Sequence, residues 1–478
     1  MPLPQLFKLP YDRISPKDKK RYVLVKRLST FYKKLKGTPI RLRFSPRWPV
    51  VLTNVISAVS NANHEISMSS NADKDARVAE GKKIISQISE MKYEMGHNAL
   101  LSPIEDDGEI NVDCYNEELA SYPEEDRKWG NMNWLFAECY VSYFALTQYW
   151  KNYDPFFDQK AETYKSSSGA ILHLAKAVNS AVAEKHELDK GFEKSGSALE
   201  IAFMEMIQAD LWGNATDLSL LIDLKYEDLQ KLQAVGSEAQ AEQAKFILRN
   251  DLSKAWEHIK GLKNGRVDFV MDNAGFELFT DFILADFLVS CTPFIGKVVF
   301  HPKAIPWFVS DVVPYDFTWA IDSLLDTTFF SQHASQPLTD EDTASLTSLG
   351  KRWKGHVEAG RFKLSVPFDT PLGKAPALGG FWTTQYAYQD MPAMAPDVLA
   401  ELQKSDLVIF KGDLNYRKLV GDAWWPTTTP FDEAIGPLAG QITLLSLRTN
   451  KADTIAGLDE GIAERLDKEA PDWRVSGK

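Results

Sequence analysis

The chain has 478 residues, of which 44% are hydrophobic and 25% charged, values of a folded globular protein and not of a disordered or collagen-like one. That length is about three typical domains. No uninterrupted apolar run approaches the ~18 residues of a membrane-spanning helix, since the best candidate, Phe282 to Phe300, contains Asp286, Pro293, Gly296 and Lys297. The three cysteines, Cys114, Cys139 and Cys291, form no CxxC pair, which excludes a thiolate zinc cluster and a disulfide framework. A reducing setting is expected, cytoplasmic and also nuclear.

The net charge of -12 disfavours binding to nucleic-acid phosphates by the molecule as a whole. Residues 1 to 47 depart from it, with fourteen Lys or Arg against Asp12 and Asp18, so they carry +12 and the remainder -24. The start Met1-Pro2-Leu3-Pro4 lacks the apolar stretch of a signal peptide, and its lysine-rich content fits a mitochondrial transit sequence poorly. Residues 1–46 are expected to form a basic arm, a solvated tail with an acidic partner or a membrane surface as the alternative.

From Trp48 to about Met204 the pattern is helical: Val51, Val55, Ile56 and Val59 share one face, as do Ile84, Ile85, Ile88 and Met91. Residues 47–204 are therefore expected to be a helical region. The Ala- and Gln-rich stretch Lys231 to Lys245 reads as a surface helix or an excursion. Near Gly265 the character changes, and short β-rich runs alternate with helical ones: Arg266 to Met271, Lys297 to His301, Asp406 to Phe410 and Gln441 to Leu447. Short continuous apolar runs joined by long connections predict an α/β fold, a three-layer α/β/α sandwich with a largely parallel central sheet, over 205–478, preceded by an N-terminal helical bundle. No repeat at a solenoid or propeller period is present.

Polar groups gather just after these runs: Asp272-Asn273 after the first, Asp311 downstream of the second, Lys411-Gly412-Asp413 after the third and Arg448-Thr449-Asn450-Lys451 after the fourth. In open α/β sheets such strand ends converge on one crevice. Asp272 and Asp311 offer carboxylate oxygens and Asn273 an amide oxygen, a hard set that suits Mg²⁺ or Mn²⁺ better than zinc. The predicted helix from Phe276 to Ser290 puts its N-terminus beside them, where phosphate is attracted; Asp272 as a plain helix cap is the competing reading. Glu277 and Asp281 share a helix face, with Glu277 toward the ligand and Asp281 structural.

Within Lys411 to Arg417, Gly412 permits close backbone approach, Asp413 and Asn415 can bind sugar hydroxyls, and Arg417 presents a planar fork for phosphate. The cations of Arg448 to Lys451 could equally cap the sheet's last carbonyls. Asn214 or Asp217 would support the metal site or merely close a helix, with the structural role preferred. His301 has no metal-binding spacing and reads as structural. No GxGxxG, GxxxxGK[ST] or GxSxG string follows a suitable strand, which removes a dinucleotide fold, a P-loop and a hydrolase elbow.

The strings Asp272-Asn273-Ala274-Gly275-Phe276-Glu277, Ile305-Pro306-Trp307-Phe308-Val309-Ser310-Asp311, Lys411 to Arg417 and Arg448 to Lys451 together resemble the metal-dependent damage-control phosphatases. The Arg-Thr-X-Lys ending and Leu211-Trp212-Gly213-Asn214 resemble the subfamily also named acidic residue methyltransferase. Arg47-Trp48-Pro49, Leu52-Thr53 and the run from Trp134 to Tyr140 fit its N-terminal helices, so the likeness spans roughly Arg47 to Lys451.

The resemblance implies that Asp272, Asn273 and Asp311 bind a divalent ion, Mn²⁺ foremost, with Ni²⁺ or Co²⁺ as alternatives and Mg²⁺ less expected. It also implies that Asp272, Asn273 and Glu277, the run Asp413, Leu414, Asn415, Tyr416 and Arg417, and Lys451 contact substrate, with Asp272, Asp311 and Asp413 catalytic. The implied reaction is hydrolysis of sugar phosphates such as fructose 1-phosphate and fructose 6-phosphate. Competing expectations are S-adenosylmethionine-dependent methylation of protein carboxylates, for which no glycine-rich loop is found, and a non-catalytic sugar-phosphate sensor.

Overall fold

Runs of β-branched and aromatic residues build the sheet of this protein, seen in a computed structural model that describes residues 47–106, 108, 110–142, 152–188, 190–194, 196–214, 247–331, 338–374, 376 and 378–477. The basic arm, the Lys231 to Lys245 stretch and Asp217 lie outside the described residues. Five strands run parallel in the order β3-β2-β1-β4-β5: β1 Gly265–Val270, β2 Ile295–His301, β3 Phe362–Leu364, β4 Leu407–Lys411 and β5 Leu444–Leu447. The α/β class and the parallel sheet are as expected. β3 is an addition, too short at three residues for an alternation to stand out.

β1 and β4 are buried at every position, as in sheets covered on both faces. From β1 the chain adds β2 and β3 on one side, then crosses to place β4 and β5 on the other. Two connections therefore leave in opposite directions between β1 and β4, and a crevice opens at the carboxyl ends of that pair. Val270 lies level with His301 on one side and Phe410 on the other, so the residues following all three strands emerge together.

The chain divides into two compact units. The first takes the described residues through Phe156 together with Ala304–Val309 and Pro371–Leu399. Its helices are α1 (Arg47–Met68), α2 (Lys74–Gly96), α3 (Val112–Ser121) and α4 (Trp134–Ser142). Leu52, Val55 and Val59 of α1 and Ile84 and Ile88 of α2 are buried, the spacing of one helix face. Tyr115 donates to the Thr383 carbonyl at 3.0 Å, which fastens a late segment of the chain to α3. The helical unit is thus completed by two excursions from beyond its own stretch of sequence.

The second unit holds Phe157–Lys303, Ser310–Thr370 and Ala400–Lys478. It contains α5 (Phe157–Ser166), α6 (Ser168–Ala183), α7 (Ala198–Gly213), α8 (Leu252–Ile259), α9 (Phe276–Asp286), α10 (Pro314–Ser323), α11 (Asp340–Glu358), α12 (Gly412–Leu419) and α13 (Ile462–Glu469). Ile171, Leu174, Phe203 and Ile207 share one core with Val267, Phe269 and Phe282. That shared burial groups α5 to α7 with the sheet.

The helix expected to reach Ser290 ends at Asp286 and passes into a π-helical turn, Phe287–Cys291. Asp286 there accepts from Arg352 Nη2 at 2.7 Å and Trp353 Nε1 at 3.0 Å, which locks α11 to the end of α9.

Inside β1, Asp268 takes Arg266 Nε at 2.7 Å and meets His301 Nε2 at 2.9 Å. His301 is thus a structural partner. Burial pushes the Asp268 carboxyl up, but hydrogen bonds and charge from His301 and Arg266 outweigh it and leave it below the usual aspartate range. A carboxyl held low stabilises the fold above the ordinary aspartate range and withdraws that contribution as pH falls through its folded value. Acid unfolding followed by circular dichroism should therefore steepen below about pH 4. The Asp268→Asn variant should be weaker at neutral pH and show a flatter acid limb.

Candidate functional site

Asp272 and Asn273 follow β1 directly, whereas Asp311 comes ten residues after β2 ends. A short antiparallel pairing removes that gap. Val312 N–H donates to the Asp272 carbonyl at 2.8 Å and Ala274 N–H to the Ser310 carbonyl at 2.6 Å, with Asn273 opposite Asp311. The two carboxylates and the amide implied to bind a cation are brought together on this ladder.

Each is oriented by neighbours. Asn273 turns its amide N–H₂ to Asp272 Oδ2 at 3.0 Å and Glu277 Oε2 at 2.6 Å, and its Oδ1 accepts from the Ser310 hydroxyl at 2.6 Å. The Lys303 ammonium lies 3.7 Å from Asp311 Oδ2 and donates to the Met271 carbonyl and to Asn415 Oδ1. Lys160, fully buried, donates to the Asp311 carbonyl at 3.0 Å and to Asp316 at 2.8 Å. Two carboxylates and an amide oxygen, with donors on Asp272 and Asn273 and the Lys303 ammonium beside Asp311, form a set that fits a hard divalent ion.

Beneath this set lies a buried charge cluster. Lys411 Nζ is 2.5 Å from Asp210 Oδ1, 2.9 Å from Asp281 Oδ1 and 3.5 Å from Glu277 Oε1, and all four side chains are at 0% exposure. Burial alone would lower the Lys411 ammonium, but the three acids reverse it and hold it above the ordinary lysine range. Burial pushes the Asp281 carboxyl well up, only partly opposed by Lys411. Glu277 points into this network and not outward: its other oxygen takes Asn273 and, at 2.9 Å, Asn214.

The strand-end segments of β4 and β5 interlock. Gly412 has φ +81°, and a Cβ there would run into the Asp272 carboxylate. Arg448 Nε donates to Asp413 Oδ1 at 2.7 Å, and the Lys451 N–H reaches the same oxygen at 3.2 Å. Lys451 Nζ donates to the Asn214 carbonyl at 2.9 Å. The Arg448 guanidinium lies 4.1 Å from the Tyr416 ring centre, and the Tyr416 hydroxyl donates to the Ala456 carbonyl at 3.2 Å. Arg417 Nε pairs with Asp422 at 2.8 Å. Leu414 is buried.

Asn415 differs from the sugar-binding role first read for it. Its Nδ2 donates to the carbonyls of Val270, Met271 and Lys411, and its Oδ1 takes Lys303, so its amide ties the ends of β1 and β4 together. Sequence reading did not single out Asp210, Lys303, Lys160 or Ser310. Asp210 carried a signal in its i, i+4 spacing to Asn214 on α7. Lys303 carries no such signal, since a lysine two residues after a strand is ordinarily solvated.

The family model described as "Damage-control phosphatase ARMT1-like domain" matches residues 44–466. The chain belongs to the ARMT1-like damage-control phosphatase family. It is 32% identical over 463 residues to the damage-control phosphatase ARMT1 of Danio rerio, covering 93% of this chain and 94% of that protein. Against the same-named protein of Xenopus tropicalis it is 33% identical over 466 residues, covering 93% and 96%. A solved DUF89 family protein from Pyrococcus horikoshii overlaps 87% of this chain and 94% of its own at 15% identity and a TM-score of 0.30, too loose a superposition to add to the strand order above. The family match brackets the whole interval from Arg47 to Lys451 over which the strings resembled damage-control phosphatases.

Replacing Lys411 by methionine would strand three carboxylates in the interior. Loss of one partner from a buried ion cluster costs about 3–5 kcal/mol, and urea unfolding of Lys411→Met should show a loss of that size. Unchanged stability would mean that the cluster is hydrated and not an interior ion group.

Proposed function

We propose that the chain is a metal-dependent phosphatase that hydrolyses phosphate monoesters of small sugars, fructose 1-phosphate and fructose 6-phosphate among them. The family supplies the phosphatase class. The observation that carries the metal dependence is the ladder that sets Asp272, Asn273 and Asp311 side by side at the switch between β1 and β4. Mn²⁺ is the expected ion, Co²⁺ and Ni²⁺ next, Mg²⁺ last. When bound, such an ion supplies Lewis acidity toward a phosphoryl oxygen and lowers the pKa of a coordinated water.

The protein's own groups would do the rest. Lys451 and Arg417 bring cationic charge to the ends of β4 and β5, suited to the equatorial oxygens of a transferring phosphoryl group, while Arg448 is committed to Asp413 and to the carbonyls of Ala452 and Thr454. Asp413, held by Arg448 and the Lys451 amide, has a fixed orientation from which to accept a proton or a sugar hydroxyl. Tyr416 and Leu414 are buried on the same helix, α12. No positively charged sulfonium donor needs such a set of cations, which favours a phosphorylated ligand.

Metal-stripped protein should release no phosphate from these esters and should recover turnover with Mn²⁺. Asp272→Ala should abolish recovery while the fold, read by circular dichroism, persists. Turnover that survives in Asp272→Ala would sink the metal site. Ligand-induced stabilisation without phosphate release would instead identify a sensor.

A further inference from the structure

One side chain touches both halves of the site and belongs to neither. Asn214 caps the C-terminal end of α7 and is fully buried. Its Nδ2 donates to Asp272 Oδ2 at 2.8 Å and to Glu277 Oε2 at 2.9 Å. Its Oδ1 accepts from the Thr449 hydroxyl at 2.8 Å, and its carbonyl accepts from Lys451 Nζ at 2.9 Å. All the polar atoms of this amide are committed, and each leads to a different element.

We propose that Asn214 is a positioning residue that fixes the Asp272 carboxylate for the divalent ion and, through its carbonyl, the Lys451 ammonium for the phosphoryl group, an assignment that rests on the metal-phosphatase reading. Only an amide fits these demands. A carboxylate would repel Asp272 and Glu277, and an apolar side chain would remove one of the two amide donors, Asn214 and Asn273, that these oxygens share.

The backbone around it is shaped for this contact. A Cβ at Gly213 would land on the Thr280 hydroxyl, and one at Gly412 on Asp272 Oδ2, with Asn214 Nδ2 just 2.9 Å away. Two glycines therefore let the end of α7, the second turn of α9 and the start of α12 close on one point. Below it, Lys411 draws Asp210 of α7 and Asp281 and Glu277 of α9 together, so the seat of Asn214 is held from the helix side as well. Hydrogen-bond partners of metal ligands commonly govern affinity by about 10- to 100-fold.

The test is Mn²⁺ binding to the metal-stripped full chain, without substrate, by calorimetry and by electron paramagnetic resonance of the bound ion. Asn214→Ala should weaken Mn²⁺ by about 10- to 100-fold and broaden the bound-ion spectrum. Thr449→Val, which removes only the hydroxyl that fixes Asn214 Oδ1, should move both in the same direction by less. Thr449→Val preserves side-chain shape and carries the test should Asn214→Ala fail to fold. Native affinity and an unaltered spectrum in the folded variants overturn the assignment while leaving the metal site intact. A native chain that takes up no Mn²⁺ overturns both.

Discussion

Two backbone hydrogen bonds, from Val312 to Asp272 and from Ala274 to Ser310, are the constraint on which the candidate site depends. The parallel sheet delivers Asp272 and Asn273 without further help, because they simply continue β1. Asp311 has no such warrant, since it lies ten positions beyond the end of β2. The ladder converts that connection into a fixed register and places Asp311 opposite Asn273. Both residues on the far side of it, Phe308 and Val309, take positive φ values of 49° and 84°. Such a conformation is costly for a β-branched residue, so the chain accepts local strain immediately before it enters the ladder.

Acidity at the site is matched from within the protein. Asp210, Glu277 and Asp281 surround Lys411, while Lys303 stands by Asp311 and Lys160 by Asp316. Buried charges of this kind add little net stability, because desolvation offsets attraction. What they provide is geometry, since Lys411 gathers Asp210, Asp281 and Glu277 on one side of Asp272, and Lys160 ties the Asp311 carbonyl to Asp316. The same economy recurs at the far end of α9, where Asp286 takes Arg352 and Trp353 and ends the helix in a π turn.

Much of this was legible in the sequence for a physical reason. A strand buried on both faces reads as a continuous apolar run, so β1 and β4 stand out. β2 and the half-buried β5 are apolar enough to be read with them, and polar residues immediately after parallel strands must sit at one end of the sheet. β3 stayed hidden because three residues cannot display a period. The helical region was legible too, but which helices belong with the sheet is decided by the long-range core that Phe203 and Ile207 share with Val267 and Phe269, which no local pattern carries. Asn415 shows the limit most clearly. An amide after a strand can face a ligand or the backbone behind it, and here three carbonyls claim it. Asn214 left two readings open, closing a helix or supporting the site, because a polar residue at a helix end shows nothing in sequence of the elements that pack around it. Here it both ends α7 and donates to Asp272 and Glu277.

The most direct test of the whole account is a crystal structure of the full chain soaked with Mn²⁺ and inorganic phosphate, with the ion located by its anomalous scattering. The account predicts one Mn²⁺ ligated by Asp272, Asn273 and Asp311, with phosphate on the side of Lys451 and Asp413. An ion bound elsewhere, or phosphate at a site lacking these residues, would contradict it.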